Sequence, residues 1–113
     1  MGRDLVNAIC AGLPGADVSD PWGGGHDCWK VGGKMFAVVG AIQPGVSVKT
    51  NGLGTAEMLV AAGIAERARY LHRSWVLLPD GCPEEELRHR LLASYRIVRA
   101  GLPKRVQAEL GPV

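Results

Sequence analysis

WKVGGKMFAVVG, residues 29–40, is the stretch that decides the fold, because two glycines in it separate two short apolar runs. A Gly-Gly pair in that position signals a two-residue β-hairpin turn, since glycine readily adopts positive φ. A phosphate-binding P-loop does not fit, because Cys28 and Met35 occupy the positions that need Gly and Ser or Thr. The stretch therefore predicts a hairpin that delivers Lys34 to the start of a core strand.

Elements on both sides of this hairpin can be read from apolar spacing and from turn residues. Helices are predicted over residues 3–13, 54–63 and 83–101, with a further turn or short helix at 103–110. Thr55 is the expected N-cap of the second helix, and Gly63 its C′ residue. Strands are predicted at residues 28–31, 34–39, 45–50 and 75–78, with an edge segment at 68–71 and a loop over 16–27.

The short connections between these strands leave no room for parallel crossovers. The prediction is an α+β domain with a two-layer arrangement, in which an antiparallel β-meander carries helices on one face. The chain of 113 residues has the size of one domain, residues 1–113, with enough surface to bury one modest core.

Charge and cysteine content narrow the functional classes. The net charge of +2 does not by itself indicate a nucleic-acid binder. Cys10, Cys28 and Cys82 form no CxxC pair, so we expect neither a disulfide framework nor a zinc ribbon, and a reducing cytoplasm fits best. No apolar run approaches the ~20 residues of a membrane span, and the first residues do not resemble a signal peptide. We therefore expect a cytoplasmic protein with no membrane attachment.

Metal and catalytic motifs are missing from the sequence. His26, Asp27 and Cys28 are consecutive, so their side chains cannot all converge on one ion in an extended segment. Candidate nucleophiles and bases are present, but spacing alone pairs none of them: Cys28, Ser74, Ser94, His26, His72 and His89. We predict no catalytic residue, no metal and no cofactor. An enzyme would instead need Cys28 or Ser94 within hydrogen-bond reach of a histidine.

Lysines that alternate with apolar residues on the predicted strands raise the possibility of DNA contact. Lys30, Lys34 and Lys49 would lie on a sheet face or its wings, near Trp29 or Trp75. Positive charge beside aromatic rings suits phosphate contacts and base stacking. An ordinary solvated sheet face, with lysines that prevent edge pairing, explains the same pattern. Arg88, Arg96 and Arg99 lie outside the apolar stripe of the last long helix. They could likewise contact phosphates, or they could form an ordinary charged outer face of the helix.

The sequence also resembles the MmcQ/YjbR family of small bacterial proteins over essentially its whole length. The resemblance rests on KVGGKMFAVVG, VSVKT, ARYLHRSWVLL and ASYRIVRAGLPKR in that order, and on the entry loop LPGADVSDPWG. It implies a CyaY-like, that is frataxin-like, α+β fold and DNA binding through a double wing of β-hairpins. It matches motif positions at Lys34, Phe36, Lys49, Tyr70, Trp75, Ser94 and Tyr95. Frataxin-type iron binding is not implied, because the first helix carries only Asp4 as an acidic residue.

Composition, motifs and resemblance together predict a small binding protein that contacts DNA non-specifically, mostly through phosphates. The predicted contacts are Lys30, Lys34, Lys49, Arg73 and Trp75, with Arg96 and Arg99 as outlying phosphate contacts. The alternative is a protein-interaction or small-ligand module that uses a groove between sheet and helices. That alternative predicts an apolar or mixed pocket near Trp29 and Trp75 and no basic face.

Overall fold

The structure is a computed structural model that describes residues 2–113. Its elements in chain order are α1 (Arg3–Ala11), β1 (Ala16–Ser19), β2 (Asp27–Val31), β3 (Lys34–Val39), β4 (Val46–Lys49), α2 (Leu53–Ala61), β5 (Glu66–Arg67), β6 (Trp75–Leu78), α3 (Glu84–Ala100) and α4 (Lys104–Leu110). All strand pairs are antiparallel, and the strands form one sheet in the order β1-β2-β3-β4-β6-β5. The predicted α+β class and antiparallel sheet are confirmed.

The Gly-Gly turn forms the hairpin between β2 and β3. Val31 pairs with Lys34 across it, and Gly32 and Gly33 have φ of +56° and +80°. A Cβ added at Gly32 would lie 2.6 Å from Cδ1 of Leu102, so this glycine is needed for close packing as well as for its backbone conformation. The hairpin is therefore held against the segment that joins α3 to α4.

One core lies between the sheet and the helices. Val31, Val46 and Val48 of the sheet, and Leu87 and Leu91 of α3, are fully buried in it. Burial of aliphatic side chains of this size stabilises a fold by roughly 1.5–3 kcal/mol each. Residues that alternate with these in the strands point to the opposite sheet face, which we call the outer face.

Three local predictions differ from the structure. Residues 16–19 were predicted as loop but form β1, an exposed edge strand that lacks the apolar alternation by which strands are recognised. Gly52, and not Thr55, is the N-cap of α2, because the helix begins at Leu53, and the Thr55 hydroxyl donates to Asn51. The edge segment lies at Glu66–Arg67, just before the predicted residues 68–71.

Strand order also departs from a simple meander, because β6 lies between β4 and β5. All four residues of β6 are buried, whereas both residues of β5 are exposed. An apolar strand gains more from neighbours on both sides than a short charged one does, so β5 takes the edge. Among residues 2–113, no helix has the length and apolarity to cross a membrane.

Candidate nucleic-acid interface

Strand directions bring basic residues from distant parts of the sequence to one end of the sheet. β2 ends, β3 begins, β4 ends and β6 begins at this end, and Leu102 packs there against Gly32. We call it the basic end and define it by the cations on these strand ends and on the adjoining loops and helix. They are Lys30, Lys34, Lys49, Arg69, Arg73, Arg96, Lys104 and Arg105.

Acidic residues gather at the opposite end of the sheet. They lie at the start of α1, before and at the start of β2, after β6 and in the first turn of α3: Asp4, Asp20, Asp27, Asp80, Glu84, Glu85 and Glu86. The ion pairs found among residues 2–113 all involve this group: Arg3–Asp27, His26–Asp20, Arg88–Glu84 and Arg90–Glu86. No basic-end cation makes an ion pair within 4 Å in the described part of the chain. Positive charge is thus concentrated at one end of the molecule and negative charge at the other.

Lys30 and Lys49 lie on the outer face of the sheet. Lys30 pairs with Met35 of β3, and Lys49 pairs with Trp75 of β6, so the two lysines are separated by one intervening strand. Two interstrand spacings correspond to about 10 Å. Asp17 stands opposite Lys30 in β1 and partly offsets its charge.

Lys34 lies at the hairpin tip, where it pairs with core-facing Val31, and it is exposed. The cations therefore surround the end of the sheet on both of its faces. Lys30, Lys34, Lys49 and Arg73 share one end of the molecule, although they do not share one flat face.

Trp29 and Trp75 have different environments from the predicted ones. Trp29 points into the core, and its Nε1 donates to Oδ1 of Asn7 at 2.9 Å, so it cannot form part of an exposed sheet face. Trp75 is on the outer face beside Lys49, with only 8% of its surface exposed. Base stacking on a broad Trp75 face therefore finds no support in the structure.

Arg96 and Arg99, one turn apart on α3, differ sharply. The Arg96 side chain is exposed. Arg99 is half-buried, and its guanidinium donates to Tyr95 Oη at 3.0 Å and to the carbonyl oxygens of Gln107 and Gly111. These contacts fasten α4 to α3. The Arg99 guanidinium is therefore already used within the fold, and Arg99 is not part of the exposed basic surface.

A groove runs between α2 and the start of β6, next to the basic end. Its volume is about 580 Å³. Val60 of α2, Leu71 of the loop before β6 and Trp75 form part of its apolar lining, and Arg73 lies on it. Tyr70, in the same loop, is fully exposed. The groove was foreseen only as an alternative near Trp29 and Trp75, and it lies at Trp75 alone.

The candidate nucleophiles Ser94 and Cys28 lie in surroundings that do not activate them. Ser94 Oγ donates to the Phe36 carbonyl at 2.6 Å and accepts from the Lys49 N–H at 2.9 Å, so its hydroxyl is used within the fold. Burial raises the pKa of the Cys28 thiol, although the Lys30 ammonium opposes that rise. A thiol with a raised pKa is a weak nucleophile, because the thiolate is the reactive form.

A Ser–His contact that the sequence did not reveal lies before β6. Nδ1 of His72 is 2.9 Å from Ser74 Oγ and accepts the Ser74 backbone N–H at 3.1 Å. Both contacts join the Nδ1 atom of His72 to Ser74, two residues later. This is the pattern of a turn that is stabilised by a side chain of the same short segment. Among residues 2–113, no group of three metal-ligating side chains comes together.

Comparison with known proteins identifies the relatives of this chain. A family model described as YjbR matches residues 11–97, more than half of the chain. The chain belongs to the YjbR family. The predicted MmcQ/YjbR membership is thus confirmed. No curated protein gives a significant match.

Solved structures include a relative of this YjbR-family chain. The crystal structure of Deinococcus radiodurans protein DR2400, with the family-model domain DUF419, is similar with a TM-score of 0.87 and 25% sequence identity. The likeness covers 99% of this chain and 89% of that one, so the whole domain, including α4, has a counterpart in overall arrangement. The YjbR match itself includes Lys30, Lys34 and Lys49 but ends before Lys104 and Arg105.

Proposed function

We propose that this YjbR-family protein binds DNA through its basic end, by phosphate contacts and without catalysis. The observation that carries the proposal is the separation of charge. The cations of the basic end have no ion-pair partners within the described chain, whereas several acidic-end carboxylates pair with neighbouring cations. Unpaired lysines and arginines around one end of a nearly neutral protein suit a polyanion, because their charge is not cancelled locally.

The binding is expected to be tolerant of sequence. Most of the candidate cations sit on strand ends, on a hairpin tip and on a loop, while Arg96 lies on α3 and Lys104 and Arg105 lie on α4. They are thus spread over several elements, whereas a recognition helix reads bases from one helix face. Phosphate contacts position a protein without carrying sequence information. Reduced cysteines fit a cytoplasmic location, which is part of this proposal: Cys10, Cys28 and Cys82 are buried and unlinked.

The test is a titration of labelled duplex DNA, followed by fluorescence anisotropy at several salt concentrations. We expect a dissociation constant of about 10⁻⁴–10⁻⁶ M that weakens steeply as salt rises. Lys49→Gln should weaken binding to all duplexes and reduce the salt slope by about 1. Arg88→Gln, which removes the same charge at the acidic end, is the matched control and should change neither quantity. Equal losses in both variants, or an affinity that does not depend on salt, would contradict the proposal.

A second candidate function is a small-ligand module, which the groove beside Trp75 favours. Its volume of about 580 Å³ falls in the range of small-molecule sites. This candidate predicts ligand binding that is insensitive to Lys49→Gln and much less sensitive to salt than the binding of a polyanion. The absence of any DNA binding at low salt, together with saturable binding of an apolar acid such as octanoate, would favour it over DNA.

A further inference from the structure

The groove between α2 and β6 combines an apolar lining with cationic rims. Leu53 and Val60 contribute from α2, and Leu71 and Trp75 from the opposite side. These side chains offer an apolar contact surface for one flat ring system. Most of the Trp75 ring is covered by the protein, so the groove presents its remaining part as a wall.

Three charged residues line the same groove: Arg67, Arg73 and Glu57. None of them has an ion pair within 4 Å or a side-chain hydrogen bond inside residues 2–113. Two guanidinium groups against one carboxylate leave a net positive charge beside the apolar surface. The planar guanidinium fork matches a phosphate group with two parallel hydrogen bonds.

Tyr70 adds an unpartnered aromatic ring on the loop that forms one side of the groove. Ala68 and Leu71, close to it in the sequence, line the groove, and Tyr70 itself lies outside the lining. Its φ of +66° makes it the one non-glycine residue with positive φ among those described, a conformation that costs roughly 1–2 kcal/mol. The ring is fully exposed, so burial of the tyrosine within this chain does not compensate the strain. Strained residues of this kind cluster at binding sites.

We propose that this groove accepts one unpaired nucleotide of a DNA strand. The base would lie against the apolar lining and its phosphate would bind Arg67 and Arg73, while Tyr70, on the adjoining loop, would stack on a neighbouring base. The inference rests on the proposed DNA binding, since Arg73 belongs to both the groove and the basic end. It adds to that function the form of DNA that is bound, which is single-stranded or frayed DNA. Extrusion of a base from a closed duplex costs a few kcal/mol, and a single strand avoids that cost.

The experiment compares two fluorescein-labelled probes at one low salt concentration: an oligothymidylate of about 12 nucleotides and a closed hairpin duplex. Val60→Phe fills the groove without changing any charge, and Met58→Phe on the same helix but outside the groove is its control. Tyr70→Ala removes an exposed ring that no core contact needs, so this variant should fold even if Val60→Phe does not. Trp22→Ala, which removes an exposed ring at the other end of the molecule, is the matched control for it.

We expect Val60→Phe and Tyr70→Ala each to weaken oligothymidylate binding about tenfold and to leave duplex binding within about twofold, because stacking is worth roughly 1–3 kcal/mol per base. The two control variants should match the unmodified protein. Unchanged oligothymidylate binding in both groove variants, with duplex binding intact, overturns this inference and leaves the proposed function standing. Failure of the unmodified protein to bind either probe overturns both. Binding of octanoate to the groove, with no competition from oligothymidylate, would assign the groove to small apolar acids and also overturn the inference.

Discussion

Ser94 is a fully buried hydroxyl that completes the junction between two strands. The β3–β4 pairing reaches Ala37 opposite Val48, and beyond it the Ser94 hydroxyl lies between the Phe36 carbonyl and the Lys49 N–H. Phe36 is also the residue left unpaired by the irregular β2–β3 register next to Trp29. A side chain of α3 therefore satisfies backbone groups that the bulged strand leaves open.

Ser94→Ala should lower the free energy of unfolding by about 1–3 kcal/mol, because it leaves a buried carbonyl and a buried N–H without partners. Urea denaturation followed by circular dichroism measures the change. Ser47→Ala, on the outer face of β4, is the control and should stay within about 0.5 kcal/mol. A Ser94→Ala protein as stable as its parent would show that the hydroxyl does not hold the strands together.

Individual residues show what sequence reasoning can reach. Phe36 lies in the predicted core strand 34–39, and it is fully buried with its ring in edge-to-face contact with that of Tyr95 at 5.4 Å. Arg99 was grouped with exposed cations because its helical position is outside the main apolar stripe. Its partners, Gln107 and Gly111, lie in and beyond a separate short helix, and periodicity within α3 carries no information about them.

At the scale of elements, the hairpin between β2 and β3 is the clearest success of the sequence. Its two glycines predicted the turn, and the apolar runs on either side predicted the strands. The strand register could not be predicted from alternation. The bulge lets both Phe36 and Ala37 face the core, whereas strict alternation would place them on opposite faces of the sheet. β1 was missed because it is an edge strand whose pairing with β2, and not its composition, defines it.

Gly32 and Gly33 provide a matched pair for testing how the hairpin is anchored. Both have positive φ, but an added Cβ meets Leu102 at Gly32 and open space at Gly33. Gly33→Ala should cost about 1–2 kcal/mol of folding free energy from backbone strain alone. Gly32→Ala should cost more, because Leu102 must also move. Urea unfolding of the two variants gives the comparison, and equal losses would mean that the Leu102 contact has no energetic role.

For the whole molecule, the two-ended charge distribution could not be derived from composition. The eight cations of the basic end are spread from Lys30 to Arg105, and only the strand directions bring them together. The predicted β2–β3–β4 meander already placed Lys34 and Lys49 at one end, but the start of β6 joins them only because β6 pairs directly with β4. Glu84 and Glu86 stand at the start of the last long helix, but their ion pairs with Arg88 and Arg90 depend on helical geometry.

The same distribution predicts that function and stability can be separated. Lys34 and Lys104 are exposed cations with no ion-pair partner within 4 Å among residues 2–113. Replacing both with Gln should reduce the affinity for duplex DNA while changing the free energy of unfolding by no more than about 0.5 kcal/mol. Anisotropy titration and urea denaturation on the same preparation test this. A loss of stability that parallels the loss of affinity would assign these lysines to the fold.

Opposite charge at the two ends of the strands gives the protein a permanent electric dipole along its sheet. The field of a nucleic acid would exert a torque on that dipole and turn the hairpin end toward the polyanion before any contact is made. Orientation during approach raises the fraction of collisions that lead to a complex, and the effect fades within a Debye length of about 8 Å at physiological ionic strength. If the proposed DNA binding holds, we therefore expect the association rate constant to carry much of the salt dependence. The direction in which four strands run would then govern how quickly the protein associates with DNA.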